Sequence, residues 1–296
     1  MWPFSVADAN PVQDKEFNLV LSAAKGRGGT IALAKKLEKH GVDVLLPNPK
    51  IYAWARDEFF FQDDGHYLSV QKASSPPEAY GHEAYHGGKI LKGDGFLVAS
   101  DSVGRKRRKK TVRKFGFDEG FFYDIAKELN ALSSIKVSGN ETFYGSSSYR
   151  HIDAIFNLGN RKKSIFTYSH PKLLAKAKEI RNDTGYDIVD LPLSDAEFAS
   201  VGFVEIGDSI VMDCRAKESA GILKSMGYNM ITTPKPLTEI NQKNGSLRCI
   251  TAELPVDFEK LEFYKPGEEP EYSFSSSDFT NTKGMKLKFK GYSTLF

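Results

Sequence analysis

Four short segments of this 296-residue chain carry residue types able to do chemistry on a small molecule: Trp54-Ala55-Arg56-Asp57, His86-Gly87-Gly88-Lys89, His151-Ile152-Asp153 and Gly245-Ser246-Leu247-Arg248-Cys249-Ile250-Thr251. A cysteine is a soft, strong nucleophile once its thiol, with an ordinary pKa of about 8.5, is held as the thiolate. A histidine, ionising at about pH 6.5, can give a proton and later take one back. Carboxylates grip planar N–H donors through charge-assisted hydrogen bonds. One stretch supports a rival chemistry, because His82-Glu83-Ala84-Tyr85-His86 has the H-E-x-x-H spacing. On a helix that spacing sets two zinc ligands on one face with the glutamate as base. Pro76, Pro77 and Gly81 precede it and Gly87-Gly88 follows, which leaves about one turn, too little to hold the geometry. Zinc hydrolysis is therefore the weaker reading. Cys214, at a strand-to-helix junction without a glycine-rich approach, reads as structural.

Each segment lies at the edge of a repeating pattern of strand, strand, helix, strand. Hairpins are expected at Glu58–Val70, Gly88–Ala99, Ile152–Tyr168 and Val201–Met212, each around a Gly, Asp or Asn turn. Helices are expected at Thr30–His40, Gly120–Leu132, Pro171–Asn182 (with Ser169 as N-cap) and Ala216–Met226. Gly41, Gly185 and Gly227 stand where a helix C-terminus wants a left-handed residue, and short strands follow at Val42–Leu46, Tyr186–Leu191 and Tyr228–Thr232. The uneven spacing of the hairpins argues against an open solenoid and for a closed, pseudo-symmetric α/β arrangement. Such a ring brings strand ends from distant parts of the chain around one central cavity.

From Thr30 to about Leu254 the ordered set resembles the pentein-fold guanidine-modifying superfamily, which includes arginine and agmatine deiminases, dimethylarginine dimethylaminohydrolases and glycine amidinotransferases. The matching parts are the aromatic-x-Arg-Asp segment Trp54–Asp57, the Gly-Gly hairpin start His86–Lys89, the His-x-Asp segment His151–Asp153 and the cysteine loop Gly245–Thr251. The resemblance implies a pseudo-fivefold αβ propeller of ββαβ repeats over residues 1–254, with 255–296 as a C-terminal extension. It implies Cys249 as nucleophile, His151 as general acid and then base, Asp57 and Asp153 as carboxylates binding guanidinium nitrogens, and Trp54 as a wall beside the substrate. The activity so implied is hydrolysis of a guanidine or amidine C–N bond through a thiouronium-type intermediate, with neither metal nor organic cofactor. Amidino transfer on the same scaffold and a non-catalytic pentein binding module are the alternatives.

The pattern departs from the family at His86, which stands where a carboxylate is usual, and at Lys89, where Asn or Asp is common. A neutral imidazole accepts one hydrogen bond and cannot offer two oxygens, so at His86 either the substrate differs from free arginine, another acid such as Glu83 moves in, or turnover is lost. Charge adds a second departure. The chain has 41 Lys+Arg against 38 Asp+Glu, and eight of the basic residues fall in Arg105–Lys114, so the remainder is mildly acidic and suits a small cationic guanidine. The basic run lacks interleaved aromatics for base stacking, which favours a solvated loop over nucleic-acid contact. No apolar run approaches the roughly 18–20 residues of a membrane span. Two cysteines and no signal-like start suit a reducing compartment, the cytoplasm.

Overall fold

The computed structural model describes residues 17–21, 27–47, 55, 59–61, 67–69, 88, 90–94, 96–99, 122–124, 152–242, 245–253, 262–265 and 279–288. They divide between two compact units, one built on His86–Cys249 and the other on Pro11–Tyr85 with Ile250–Phe296. In the second unit, strands β1 (Phe17–Leu21) and β2 (Val42–Pro47) are parallel and joined by helix α1 (Arg27–Glu38). Leu33, Ala34 and Leu37 of α1 and Val42, Val44 and Leu45 of β2 are buried. A separate hairpin pairs β3 (Phe59–Phe61) with β4 (Tyr67–Ser69).

The first unit holds three small sheets of one topology: an antiparallel hairpin, then a third strand parallel to the second. The first sheet is β5 (Ile90–Lys92), β6 (Leu97–Ala99) and β7 (Phe122–Asp124). The second is β8 (Phe156–Gly159), β9 (Ser164–Tyr168) and β10 (Asp187–Leu191), with helix α2 (Pro171–Thr184) between the last two. The third is β11 (Val204–Ile206), β12 (Ser209–Met212) and β13 (Asn229–Thr232), with helix α3 (Lys217–Ser225) in the same place. A parallel neighbour requires a crossover connection, and in the second and third sheets a helix supplies it. Every residue of β8 and β9 is buried, as expected for strands covered on both faces. Their core includes Phe156, Phe166, Phe203, Leu173, Ile180 and Leu223, with the Phe166 and Phe203 rings edge to face at 4.8 Å.

Helix α2 starts with Pro171, whose missing N–H costs nothing in a first turn. It buries Leu173, Ala177 and Ile180 along one face and stops at Gly185, in left-handed geometry with its N–H bonded to Arg181 O. The residue in the N-cap position is His170, without a side-chain cap. The expected cap, Ser169, instead donates its hydroxyl to Asp190 at 2.6 Å. The helix expected at Gly120–Leu132 is also corrected at its start, because Phe122–Asp124 is strand β7. Aromatic residues suit a pleated, half-buried surface, and pairing with β6 decides the matter.

After α4 (Thr238–Gln242) the chain returns to the second unit. Strand β14 (Thr251–Glu253) runs antiparallel to β1, so β14, β1, α1 and β2 repeat the topology of the other three sheets with strands drawn from both ends of the described chain. Three later strands extend this sheet: β15 (Glu262–Tyr264), β16 (Phe279–Asn281) and β17 (Lys286–Lys288), in the order β14-β1-β2-β16-β17-β15. The segment beyond Leu254 thus contributes strands to the sheet that contains β1. No helix among the described residues is long and apolar enough to cross a membrane.

Candidate active site

Cys249 lies in a single 3-10 turn, Arg248–Ile250, that leads directly into β14. It is a free thiol and is 5% exposed. Two groups of one residue face its sulfur: the Ser246 backbone N–H, which donates to Sγ at 3.3 Å, and the Ser246 hydroxyl, which shares a hydrogen bond with Sγ at 3.3 Å in which either atom can be the donor. In the other direction the Cys249 N–H donates to Ser246 O at 3.2 Å and reaches Ser246 Oγ at 3.4 Å. The loop before the turn is tied down at Gly245, whose carbonyl accepts from Asn241 Nδ2 at 3.0 Å and whose N–H donates to Ile240 O at 2.9 Å.

Asn241 is itself held. It accepts a hydrogen bond from Arg215, and Arg215 forms a two-pronged ion pair with Asp213, through Nε at 3.0 Å and Nη2 at 2.8 Å. Asp213 is 4% exposed, and its second oxygen also takes the Leu237 N–H. Bonding to this carboxylate raises the Arg215 pKa above its ordinary value. A chain of polar contacts therefore runs from the end of β12 to the cysteine loop.

The same loop leans on the segment before β11. Arg248 N–H donates to Gly202 O at 2.9 Å, and Ser246 packs so closely on Gly202 that a β-carbon there would lie 2.3 Å from Ser246 Cβ and Oγ. From the other side, fully buried Asn157 of β8 donates its amide to Val201 O and Phe203 O at 2.9 and 3.0 Å. The segment before β11 is thus bonded to β8 on one side and to the turn before β14 on the other. Asp153 stands just before β8, fully buried in the 3-10 turn Ile152–Ala154.

Neither a protein-family model nor a curated protein sequence matches the chain. Solved structures do match it. The N-terminal domain of ArgZ, an arginine dihydrolase of the ornithine-ammonia cycle in Cyanobacteria, superposes with a TM-score of 0.55 at 11% identity, over 81% of this chain and 98% of that domain in its product complex. The same domain covalently bound to a reaction intermediate also gives 0.55 at 11% identity, over 80% and 97%. Dimethylarginine dimethylaminohydrolase from Pseudomonas aeruginosa, a cysteine-to-serine variant complexed with citrulline, gives 0.51 at 9% identity, over 81% and 100%. The chain has the pentein fold.

Of the residues singled out on this pentein from sequence, Cys249 and Asp153 are described; the segment around Gly202 bonds to the Cys249 turn and to β8, the strand that follows the Asp153 turn. Trp54, Asp57, His86 and His151 lie outside the described residues, as do the basic run Arg105–Lys114 and the His82–His86 motif; Ala55 and Gly88, within two of those segments, are buried. Strand geometry, expected from Ile152 onward, would set residues 151 and 153 on one face. Residues 152–154 form a 3-10 turn instead, in which positions three apart align. Among the described residues no group of three or more His, Cys, Asp or Glu could hold a metal ion. Sequence reading missed Ser246 as a partner of the sulfur, although it stood in the quoted loop, and it missed Gly202, Asn157 and the Asp213–Arg215–Asn241 relay altogether. The signal for Ser246 was available: a serine three residues before a cysteine can bond across a single 3-10 turn.

Proposed function

We propose that this chain hydrolyses a C–N bond of a guanidine or amidine in an arginine-like substrate, with Cys249 as nucleophile. The observation that carries the reading is the bonding of the segment before β11 both to β8, which follows the Asp153 turn, and to the Cys249 turn. The solved pentein neighbours support it, since they are an arginine dihydrolase and a dimethylarginine hydrolase, and one holds a covalent intermediate. The repeated topology, with β14 and β1 completing a fourth unit, supports a closed pseudo-fivefold propeller around a central cavity.

The chemistry follows from the substrate. Resonance spreads the charge of a guanidinium over three nitrogens and makes its carbon a poor electrophile, so a thiolate is the apt attacker. The Cys249 sulfur adds to that carbon, and the C–N bond breaks as His151 passes a proton to the departing amine. The S-amidino enzyme that results is then attacked by water, with His151 taking the water proton. Cleavage of the C–S bond returns the thiolate and releases a ureido product. Asp57 and Asp153 bind the remaining N–H groups, Trp54 walls the planar cation, and His86 contacts the substrate where the family usually carries an acid.

Incubating wild-type and Cys249→Ala protein with a panel of guanidines, and measuring ammonia, alkylamine and ureido product with and without an amine acceptor, tests this. Cysteine-dependent ureido product is expected. Product that forms only with the acceptor would reassign the chain to amidino transfer, and folded wild-type protein that turns over none of the panel would make it a binding module.

A further inference from the structure

We infer that Ser246 is a catalytic residue of the same site, donating its hydroxyl proton to the Cys249 sulfur and holding that sulfur as a correctly aimed anion. The inference rests on Cys249 being the nucleophile. Its first support is the count of lone pairs and protons. A serine hydroxyl has one proton and two acceptor sites. The Cys249 N–H takes one acceptor site of Oγ at 3.4 Å, leaving one proton and one lone pair; towards a thiolate at 3.3 Å, which has no proton to give, the hydroxyl can only donate. The backbone N–H of Ser246, also 3.3 Å from Sγ, can only donate. Two donors converging on one sulfur favour the thiolate, because hydrogen bonds to an ionised acceptor are about twice as strong as neutral ones.

The second support is that the hydroxyl cannot turn away. Ser246 is 1% exposed, and its Cβ and Oγ fill the space above Gly202 where no side chain stands. Gly202 is fixed in turn by its N–H to Ala199 O and by its carbonyl, which takes the Arg248 N–H, both at 2.9 Å. Asn241 and Ile240 hold Gly245 from the other side. Among the side chains described on these surrounding elements, the charged groups are Arg248 in the same turn and the Arg215–Asp213 pair behind Asn241, with Glu239 on α4 and Glu253 on β14 in the sequence beside them. The pair is internally compensated. A serine that served only to shape the turn would need its bond to the Cys249 N–H and nothing at the sulfur.

The test compares Ser246 with Ser246→Ala in a Cys214→Ala background, so that the ultraviolet absorbance of the thiolate reports Cys249 alone. Loss of the hydroxyl donor is expected to raise the apparent thiol midpoint by about one unit, leaving about tenfold less thiolate at neutral pH. Turnover of an accepted guanidine should fall in kcat by a similar factor with KM little changed. Should the alanine variant not fold, Ser246→Gly keeps the backbone donor and the approach to Gly202 and is expected to show the same rise. A folded variant whose thiolate midpoint equals that of the Ser246 protein would overturn the inference. Because the absorbance titration needs no substrate, absence of turnover in the wild type would defeat the proposed function without deciding this point.

Discussion

Ser246 and Gly202 are fitted to each other: the serine side chain occupies the volume that a β-carbon on Gly202 would need, at 2.3 Å from both Ser246 Cβ and Oγ. Gly202 is not among the glycines with positive φ, so this position demands glycine for space and not for backbone freedom. The cysteine loop can approach the segment before β11 only because nothing projects from it.

Gly202→Ala should therefore act as an overpacking substitution, costing about 1–3 kcal/mol despite the small entropic gain alanine brings elsewhere. Thermal unfolding would read the loss. Guanidine turnover should drop further than stability does, since the displaced atom is Ser246 Oγ. An alanine variant as stable and as active as the wild type would show that the contact yields easily.

Asn157 offers a second test. Its amide donates to two carbonyls of the 201–203 segment, and its Oδ1 accepts the Leu158 N–H at 2.9 Å. Asn157→Ala removes three buried hydrogen bonds together, with an expected loss of about 2–4 kcal/mol. Asn157→Asp should be at least as damaging, because it exchanges both donors for a buried charge. Urea midpoints with an unchanged slope would measure both.

For the Asp213–Arg215 pair, Arg215→Met should cost about 2 kcal/mol, below the range for a fully buried pair, because the arginine side chain is 26% exposed while the aspartate side chain is 2% exposed. Arg215→Lys should recover only part of this, since an ammonium cannot reproduce the two-pronged geometry. Equal stability of the lysine variant and the wild type would show that charge alone matters there.

Alkaline pH supplies a fourth expectation. Burial pushes the Tyr186 hydroxyl up to about 12 from 10.0, and burial also raises Tyr123 and Tyr228. The unfolded chain then binds fewer protons than the folded one above pH 10. Stability is accordingly full below about pH 10 and falls as pH rises towards and through about 12. Tyr186→Phe should flatten part of that decline, while lowering stability at neutral pH through loss of bonds to Asn160 and the Asp94 N–H. Urea midpoints measured from pH 8 to about 11.5, a span chosen on the linkage relation, would check the sign.

Features that a residue's neighbours in sequence can decide were legible from the sequence. Gly41, Gly185 and Gly227 all adopt positive φ where helices were expected to stop, and the described strands of all four hairpins fall within the spans read from their turns. Features decided by a distant partner were not. Phe122–Asp124 fits a helical spacing with Ile125 and Leu129, yet pairs with β6. Ser169 has the chemistry of a cap, but Asp190 takes its hydroxyl. At the site, a glycine-rich approach marked the Cys249 loop, whereas Asn157 gains its meaning from carbonyls 44 and 46 residues away. Spacing along a chain cannot show which loops will touch.

The pairing of β14 with β1, with Leu19 opposite Glu253, has a consequence for biosynthesis. At roughly 5–20 residues per second, β1 leaves the ribosome some tens of seconds before the strand that covers this edge. Until then β1 presents an unpaired edge, the kind of surface that recruits foreign strands. The turn carrying Cys249 immediately precedes that late strand, so its loop too reaches Gly202 only after most of the chain has emerged.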